Sequence, residues 1–289
     1  MAEGKSNELQ TDIAANNAVL QQLFLKSIGI ALFLFVFFQG LQYVVGAAGA
    51  LKYNITSIIF LNNIDFEVDA YGWKNYGAVI LAYTGGLAAT FTIGIFAYAI
   101  YRVAWAFVKP DIAFVAGWVH LISFLYAFAD MTSGQIMRKG PFFGFNFLFH
   151  KYQISENFHF AVTGFSIIGL YVTGGLAAYR FLRALPSIDL IIDYGNKVLT
   201  GRLLVVPVFI SVMLLGITYN IIGGLGLRFT VNLIFIASSV LVGWLVSDRF
   251  KDITLAKTYP KGNPYLWIVA AVLTFGLALV MFGGGYSFN

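Results

Sequence analysis

The stretch IGIALFLFVFFQGLQYVVGAAGA, residues 28–50, decides the fold. It contains no Asp, Glu, Lys or Arg. An α-helix needs about 20 such residues to cross the hydrocarbon of a bilayer. Six further segments qualify by the same length rule: 77–101, 112–130, 158–180, 203–222, 226–247 and 265–283. The fifth and sixth are nearly fused, with Gly223-Gly224 as the break, which reads as a tight helical hairpin.

Composition agrees. Hydrophobic residues make up 59% of the 289 and charged residues 11%, against about a quarter charged in soluble domains. Phe, Tyr and Trp make up 17%, which suits lipid-facing and interfacial surfaces. The expected fold is therefore an all-α membrane protein with about seven transmembrane helices and the lipid bilayer as its first partner. The first 25 residues are too polar for a signal peptide.

Lys and Arg set the expected orientation. Alternate connections, beginning with the N-terminal tail, carry twelve of them, and the opposite side carries six. The positive side faces the cytoplasm, so the N-terminus is expected inside and the C-terminus outside, in a bacterial inner membrane. The net charge of +5 is read as this topogenic excess and not as a nucleic-acid surface. The chain has no cysteine, which excludes disulfides, thiolate nucleophiles and cysteine-ligated metals.

The expected organisation is a cytoplasmic tail, 1–27, ahead of one membrane domain, 28–289. Residues 8–24 place Leu9, Ile13, Leu20 and Leu23 near one helical face. Residues 187–201 mix Ile188, Ile191 and Ile192 with Asp189, Asp193 and Lys197. Both are read as amphipathic helices on the cytoplasmic surface. In the first loop Ile64, Phe66, Val68 and Ala70 alternate with Asp65, Glu67 and Asp69, the period of a half-buried strand. With Ile55–Leu61 and a two-residue turn at Asn62-Asn63, residues 55–70 form an expected β-hairpin against the membrane.

Polar groups inside spans are the candidate functional residues, because hydrocarbon makes them costly. Gln39 and Gln42 share a face of span one. His120 is mid-span in the third segment. It is read as a metal or haem ligand, a proton relay, or a neutral histidine bonded to another helix. His159 is a conceivable haem partner, although it sits near the outer end of its span. Asp130 ends the third span as a ligand, a proton acceptor or a water-facing residue, with Arg138 and Lys139 near enough to pair with it. Residues 139–152 are too short to span and read as a re-entrant or interfacial turn.

Thr84-Gly85-Gly86-Leu87-Ala88-Ala89 recurs as Thr173-Gly174-Gly175-Leu176-Ala177-Ala178. Close helix packing accounts for it better than duplication. No phosphate-binding glycine loop, GxSxG or HExxH is present, and the last span lacks a lysine for retinal. No intact catalytic motif, metal site or cofactor is expected.

The order of elements in the first 140 residues resembles the site-2 protease family of intramembrane zinc metalloproteases. That family has a span with HExxH, a glycine-containing stretch, a membrane-associated β-hairpin, an Ala/Gly-rich span and a later Asp ligand before a Gly. Here Phe38-Gln39-Gly40-Leu41-Gln42 stands at the HExxH position. Gly46 and Gly49, the hairpin and Gly85-Gly86-Leu87-Ala88-Ala89 follow, then Asp130 with Gly134. Phe38 and Gln42 replace the zinc histidines and Gln39 replaces the catalytic Glu. A glutamine cannot accept the proton of a zinc-bound water. The charge count also puts the hairpin on the side opposite to the family's. The resemblance therefore implies a non-catalytic relative.

The functional expectation is a non-enzymatic protein that binds or scaffolds another membrane protein, as a subunit of a larger complex. The alternative is a transporter or channel subunit with a polar or proton path along Gln39, Gln42, His120 and Asp130.

Overall fold

Helix α1 runs from Ala2 to Leu51 without a break, about 75 Å at 1.5 Å per residue. This corrects the reading of residues 8–24 as a separate surface helix. The tail and the first span are one rod. Nothing in 2–51 stops it, since proline is absent and each glycine is a lone residue in strong helix-forming surroundings. Leu20 and Leu23 are buried in the main core, so this part of the tail's apolar face is covered by protein, while the side chains of Leu9 and Ile13 lie outside the described residues.

The structure is a computed structural model. It describes residues 2–61, 64–68, 73, 75–137, 153, 155–185, 189–223, 227–250, 253, 260 and 262–288. The Asn62-Asn63 turn, Asp69 and Ala70, the pairing of Arg138 or Lys139 with Asp130, the 139–152 segment and Gly224 lie outside the described residues.

After α1 come α2 (Tyr76–Ala106), α3 (Pro110–Met137), α4 (Glu156–Arg183) and α5 (Asp189–Thr200). A π-helical turn, Gly201–Val205, joins α5 to α6 (Val206–Gly223); then follow α7 (Leu227–Val246) and α8 (Pro264–Phe282). Among the described residues seven helices are long and apolar enough to cross a membrane. The chain is a polytopic α-helical membrane protein.

The fifth span starts earlier than its hydropathy indicates. Gly195 has φ 74° and ψ 155°, a conformation open almost only to glycine. It breaks the amphipathic segment, and the helix then continues through the π turn into α6. Leu199, Thr200, Leu203 and Leu204 are fully buried. The second half of the expected surface helix 187–201 is thus the first turns of a span.

α3 is the centre of the bundle. Of its most apolar window 78% is buried, against 6% for α8. Trp118, Leu121, Ile122 and Leu125 supply its fully buried face, which packs on α1, α2, α4 and α7. α8 lies at the periphery against α1, with Trp267 edge-on to Phe33 at 5.9 Å.

The repeated Thr-Gly-Gly stretches seat different neighbours. In α2 a Cβ at Gly86 would meet the α1 backbone at Gln42, whereas Gly85 is looser. In α4 a Cβ at Gly174 would meet Ser239 of α7, and Gly175 has room. The contact glycine is the second of the pair in one span and the first in the other. Close packing explains both, and the two stretches are not structurally equivalent.

The hairpin is present with a longer turn than expected. β1 (Ser57–Ile59) pairs antiparallel with β2 (Ile64–Phe66), and Ile59 faces Ile64. Four residues, 60–63, therefore connect the strands in place of two. A third strand, β3 (Tyr286–Phe288), pairs antiparallel with the other edge of β1. Phe66, Trp73 and Tyr83 pack with ring centroids 5.3 Å apart and fix the sheet to the start of α2. Because β3 follows the seventh span and β1 follows the first, both ends meet on one side of the membrane. An even number of crossings lies between them, as seven spans require.

Candidate functional site

Each polar group marked out by the sequence sits at a different helix contact. Gln39 is buried and satisfied at both ends: its Oε1 accepts from the Tyr219 hydroxyl of α6 at 2.7 Å, and its Nε2 donates to the Leu61 carbonyl at 2.8 Å. It ties α1 to α6 and to the hairpin. Gln42 lies under the close α1–α2 crossing, and its Nε2 has no hydrogen-bond partner among the described residues.

His120 faces α2. Its Nδ1 lies 3.0 Å from the Gly94 carbonyl, which makes Nδ1 the protonated nitrogen, since a carbonyl only accepts. Its ring packs on Tyr98 and Phe124. The reading of a histidine bonded to another helix is the one this geometry matches. His159 cannot pair with it on one haem. It contacts Gln135 Oε1 at 2.9 Å, fifteen residues beyond His120 on α3, or about 22 Å along the axis.

Asp130 is buried between helices, not exposed to water at a helix end. Asn232 of α7 donates to its Oδ1 at 3.4 Å. The same end of α3 buries Thr132, bonded to Ser166 of α4 at 2.9 Å, and Gln135, bonded to His159. These side chains form a polar seam between α3, α4 and α7. Gln39, Gln42, His120 and Asp130 therefore do not converge on one pocket. Among the described residues no three His, Asp or Glu side chains come together as metal ligands.

The open feature is a lateral groove of about 590 Å³ between α2, α3 and α8, at the N-terminal side of the membrane. Ile93, Phe96 and Ile100 wall it on α2, Ile112 and Val119 on α3, and Leu266 on α8. Its large residues are exposed on the protein's outer surface, Phe96 at 66% and Leu266 at 65%, while the small residues Ala97 and Ala116 are buried in its floor. An ion pair closes its polar end. Lys26 of α1 is buried, and its Nζ lies 2.5 Å from Asp111 Oδ1 in the first turn of α3. The Gly262 amide donates to the same carboxylate oxygen at 3.0 Å.

Sequence reading missed this site because Lys26 looked like a topogenic charge and Asp111 like a loop residue. A lysine just inside an apolar run, with an Asp-containing loop on the same side, was the available signal. A second missed feature lies across α3. Arg180 and Arg183, in the last turn of α4, sit over aromatic rings of α2: Arg180 is 5.1 Å from the Tyr98 centroid and Arg183 is 4.2 Å from that of Trp105.

Comparison with protein-family models, curated proteins and solved structures finds no match. The groove, the seam and the Arg–aromatic cluster are thus read from their own chemistry. The groove offers apolar surface and one neutralised ion pair, an arrangement suited to holding an apolar segment. Among the described residues it presents no nucleophile with an adjacent base.

Proposed function

We propose that this protein is a non-enzymatic membrane scaffold that holds a transmembrane helix of another membrane protein in the groove between α2, α3 and α8. It acts as a subunit of a larger membrane complex. The observation that supports this is the groove's section. Small residues, Ala97 and Ala116, form the floor, and large ones, Phe96, Ile112 and Leu266, form the rims. In lipid, helices associate by close packing over small residues and not by hydrophobic burial. A floor of alanines lets a guest backbone approach while the rims interdigitate with its side chains. The peripheral α8 forms one wall. On this reading the likeness of the first 140 residues to site-2 proteases is that of a relative that binds a helix without cutting it.

The absence of cysteine makes the test clean. A single cysteine carrying a photo-crosslinker replaces Phe96 or Ile112 in the groove, or Ile168 on the lipid-facing side of α4. The expected result is one discrete protein adduct from the groove positions, lost when Ala116→Phe fills the floor, and none from Ile168. Adducts of equal yield at all three positions, or adducts that Ala116→Phe leaves unchanged, overturn the proposal.

A further inference from the structure

We infer that α2, α3 and α4 form, on the N-terminal side of the membrane, a binding site for a single halide ion, held by the Arg180 guanidinium and the Tyr101 hydroxyl. The site lies across α3 from the groove and does not depend on the scaffold reading.

The site is a cavity of about 20 Å³, lined by Tyr101 and Trp105 of α2, Phe114 and Gly117 of α3, and Arg180 and Phe181 of α4. A cavity holds one water once it offers about 10–15 Å³ of such space. This one therefore has room for one monatomic ion and for nothing much larger.

Two polar groups at the cavity are donors in want of an acceptor. Arg180 stands over the Tyr98 and Tyr101 rings at 5.1 and 5.8 Å. It is half-buried, yet no carboxylate pairs with it among the described residues. Elsewhere on this side the protein supplies its own anions: Asp111 for Lys26 at 2.5 Å and Asp248 for Lys197 at 2.9 Å. A guanidinium packed by its face on rings keeps its in-plane N–H groups for a further acceptor. Tyr101 keeps only 7% of its surface exposed. Its buried hydroxyl has no hydrogen-bond partner among the described residues, a condition that costs stability unless something in the site accepts from it.

Charge and hydrogen-bond direction select an anion over a water. A water brings two donors of its own, and the other lining side chains named are aromatic or, at Gly117, absent. None of them is a strong acceptor, and the Trp105 ring nitrogen only donates. A halide is an acceptor alone and answers both donors at once. It also neutralises Arg180 in surroundings of low dielectric, where that attraction is strongest. Apolar walls favour chloride or bromide, which give up their hydration more readily than small or multiply charged anions.

The test follows thermal unfolding of the full chain in an uncharged detergent, with chloride or bromide replacing gluconate at constant sodium concentration and ionic strength. Gluconate is too large for the cavity. Either halide is expected to stabilise the wild-type protein with a saturating dependence. Chloride that survives exchange into gluconate at one ion per chain, counted by ion chromatography of the denatured protein, supports the site equally. Gly117→Ala keeps both donors and narrows the cavity. Its Cβ would stand 3.6 Å from the Tyr101 ring, an ordinary contact, so the variant should fold and lose the halide response. Tyr101→Phe should weaken halide binding about tenfold, the scale of one hydrogen bond to a charged group. Arg180→Gln should abolish it; if that variant does not fold, the other two decide. Arg202→Gln, a basic residue elsewhere on the same side, should leave it unchanged. Identical unfolding in chloride and gluconate, with no ion retained, means that the cavity holds water only and overturns the inference. So does a wild-type halide response in Gly117→Ala, Tyr101→Phe or Arg180→Gln, or an equal loss in Arg202→Gln.

Discussion

Lys26 and Asp111 are joined across the bundle, an almost inaccessible ammonium on α1 held by a half-exposed carboxylate on α3. The two residues sit 85 positions apart and fix the depth at which the first and third spans begin relative to each other. The same carboxylate receives the Gly262 amide just ahead of α8, so one side chain sets three spans in register.

That arrangement makes the two partners unequal. Asp111→Asn leaves a buried ammonium without its anion, a loss of about 3 kcal/mol or less, given the exposure of the carboxylate. Lys26→Met/Asp111→Asn removes the stranded charge. The double variant is therefore expected to be more stable than Asp111→Asn alone. Unfolding of the detergent-solubilised protein in sodium dodecyl sulfate measures both, and a double variant less stable than the single one contradicts this account.

Gln39 makes two long-range bonds, accepting one from Tyr219 of α6 and donating the other to the Leu61 carbonyl in the hairpin. Hydrogen bonds between spans are worth about 0.6 kcal/mol on average and up to about 1.7 kcal/mol. Tyr219→Phe should cost an amount in that range and Gln39→Leu roughly twice as much. Gln39→Glu should be destabilising as well. Its carboxylate would face the Leu61 carbonyl, and two acceptors cannot bond. The same unfolding assay ranks the three, and a stabilising Gln39→Glu would show that the pairing described is wrong.

The paired glycines of α4 separate cleanly. Gly174→Ala drives a methyl group into Ser239 and must spread α4 from α7, at a cost of about 1–3 kcal/mol. Gly175→Ala meets only a side-chain methyl at ordinary contact distance and should be neutral. Thermal unfolding of the two single variants reads the difference, and equal effects would refute the helix contact.

Sidedness is open to labelling. Ser287→Cys and Lys109→Cys should react with a membrane-impermeant maleimide from opposite faces of sealed vesicles, and Ile58→Cys from the same face as Ser287→Cys. Labelling of Ile58→Cys and Ser287→Cys from different faces would break the sheet or the span count.

Much of this architecture was legible because the bilayer simplifies the pattern. Seven apolar runs read as seven spans, and the alternation around Phe66 identified a strand. What escaped has physical causes. Residues 286–288, YSF, are too few to show a period, and their pairing with β1 is set by the bundle that returns them to it. Gly195 looked like one more residue of an amphipathic turn, since periodicity does not report φ. The intramembrane polar groups were found, but their partners lie 22 to 180 positions away and carry no local mark. Arg180 and Lys26 were counted as charges when their burial was the informative property.

The three-stranded sheet carries a consequence for how the protein is made. β1 meets β2 almost as soon as both are synthesised, but β3 arrives only after roughly 220 more residues, on the order of 10–50 s at usual elongation rates. Throughout that interval one edge of β1 has no strand from its own chain. Exposed edges recruit strands from other molecules, so the nascent protein passes through a stage in which its first loop is adhesive and needs shielding.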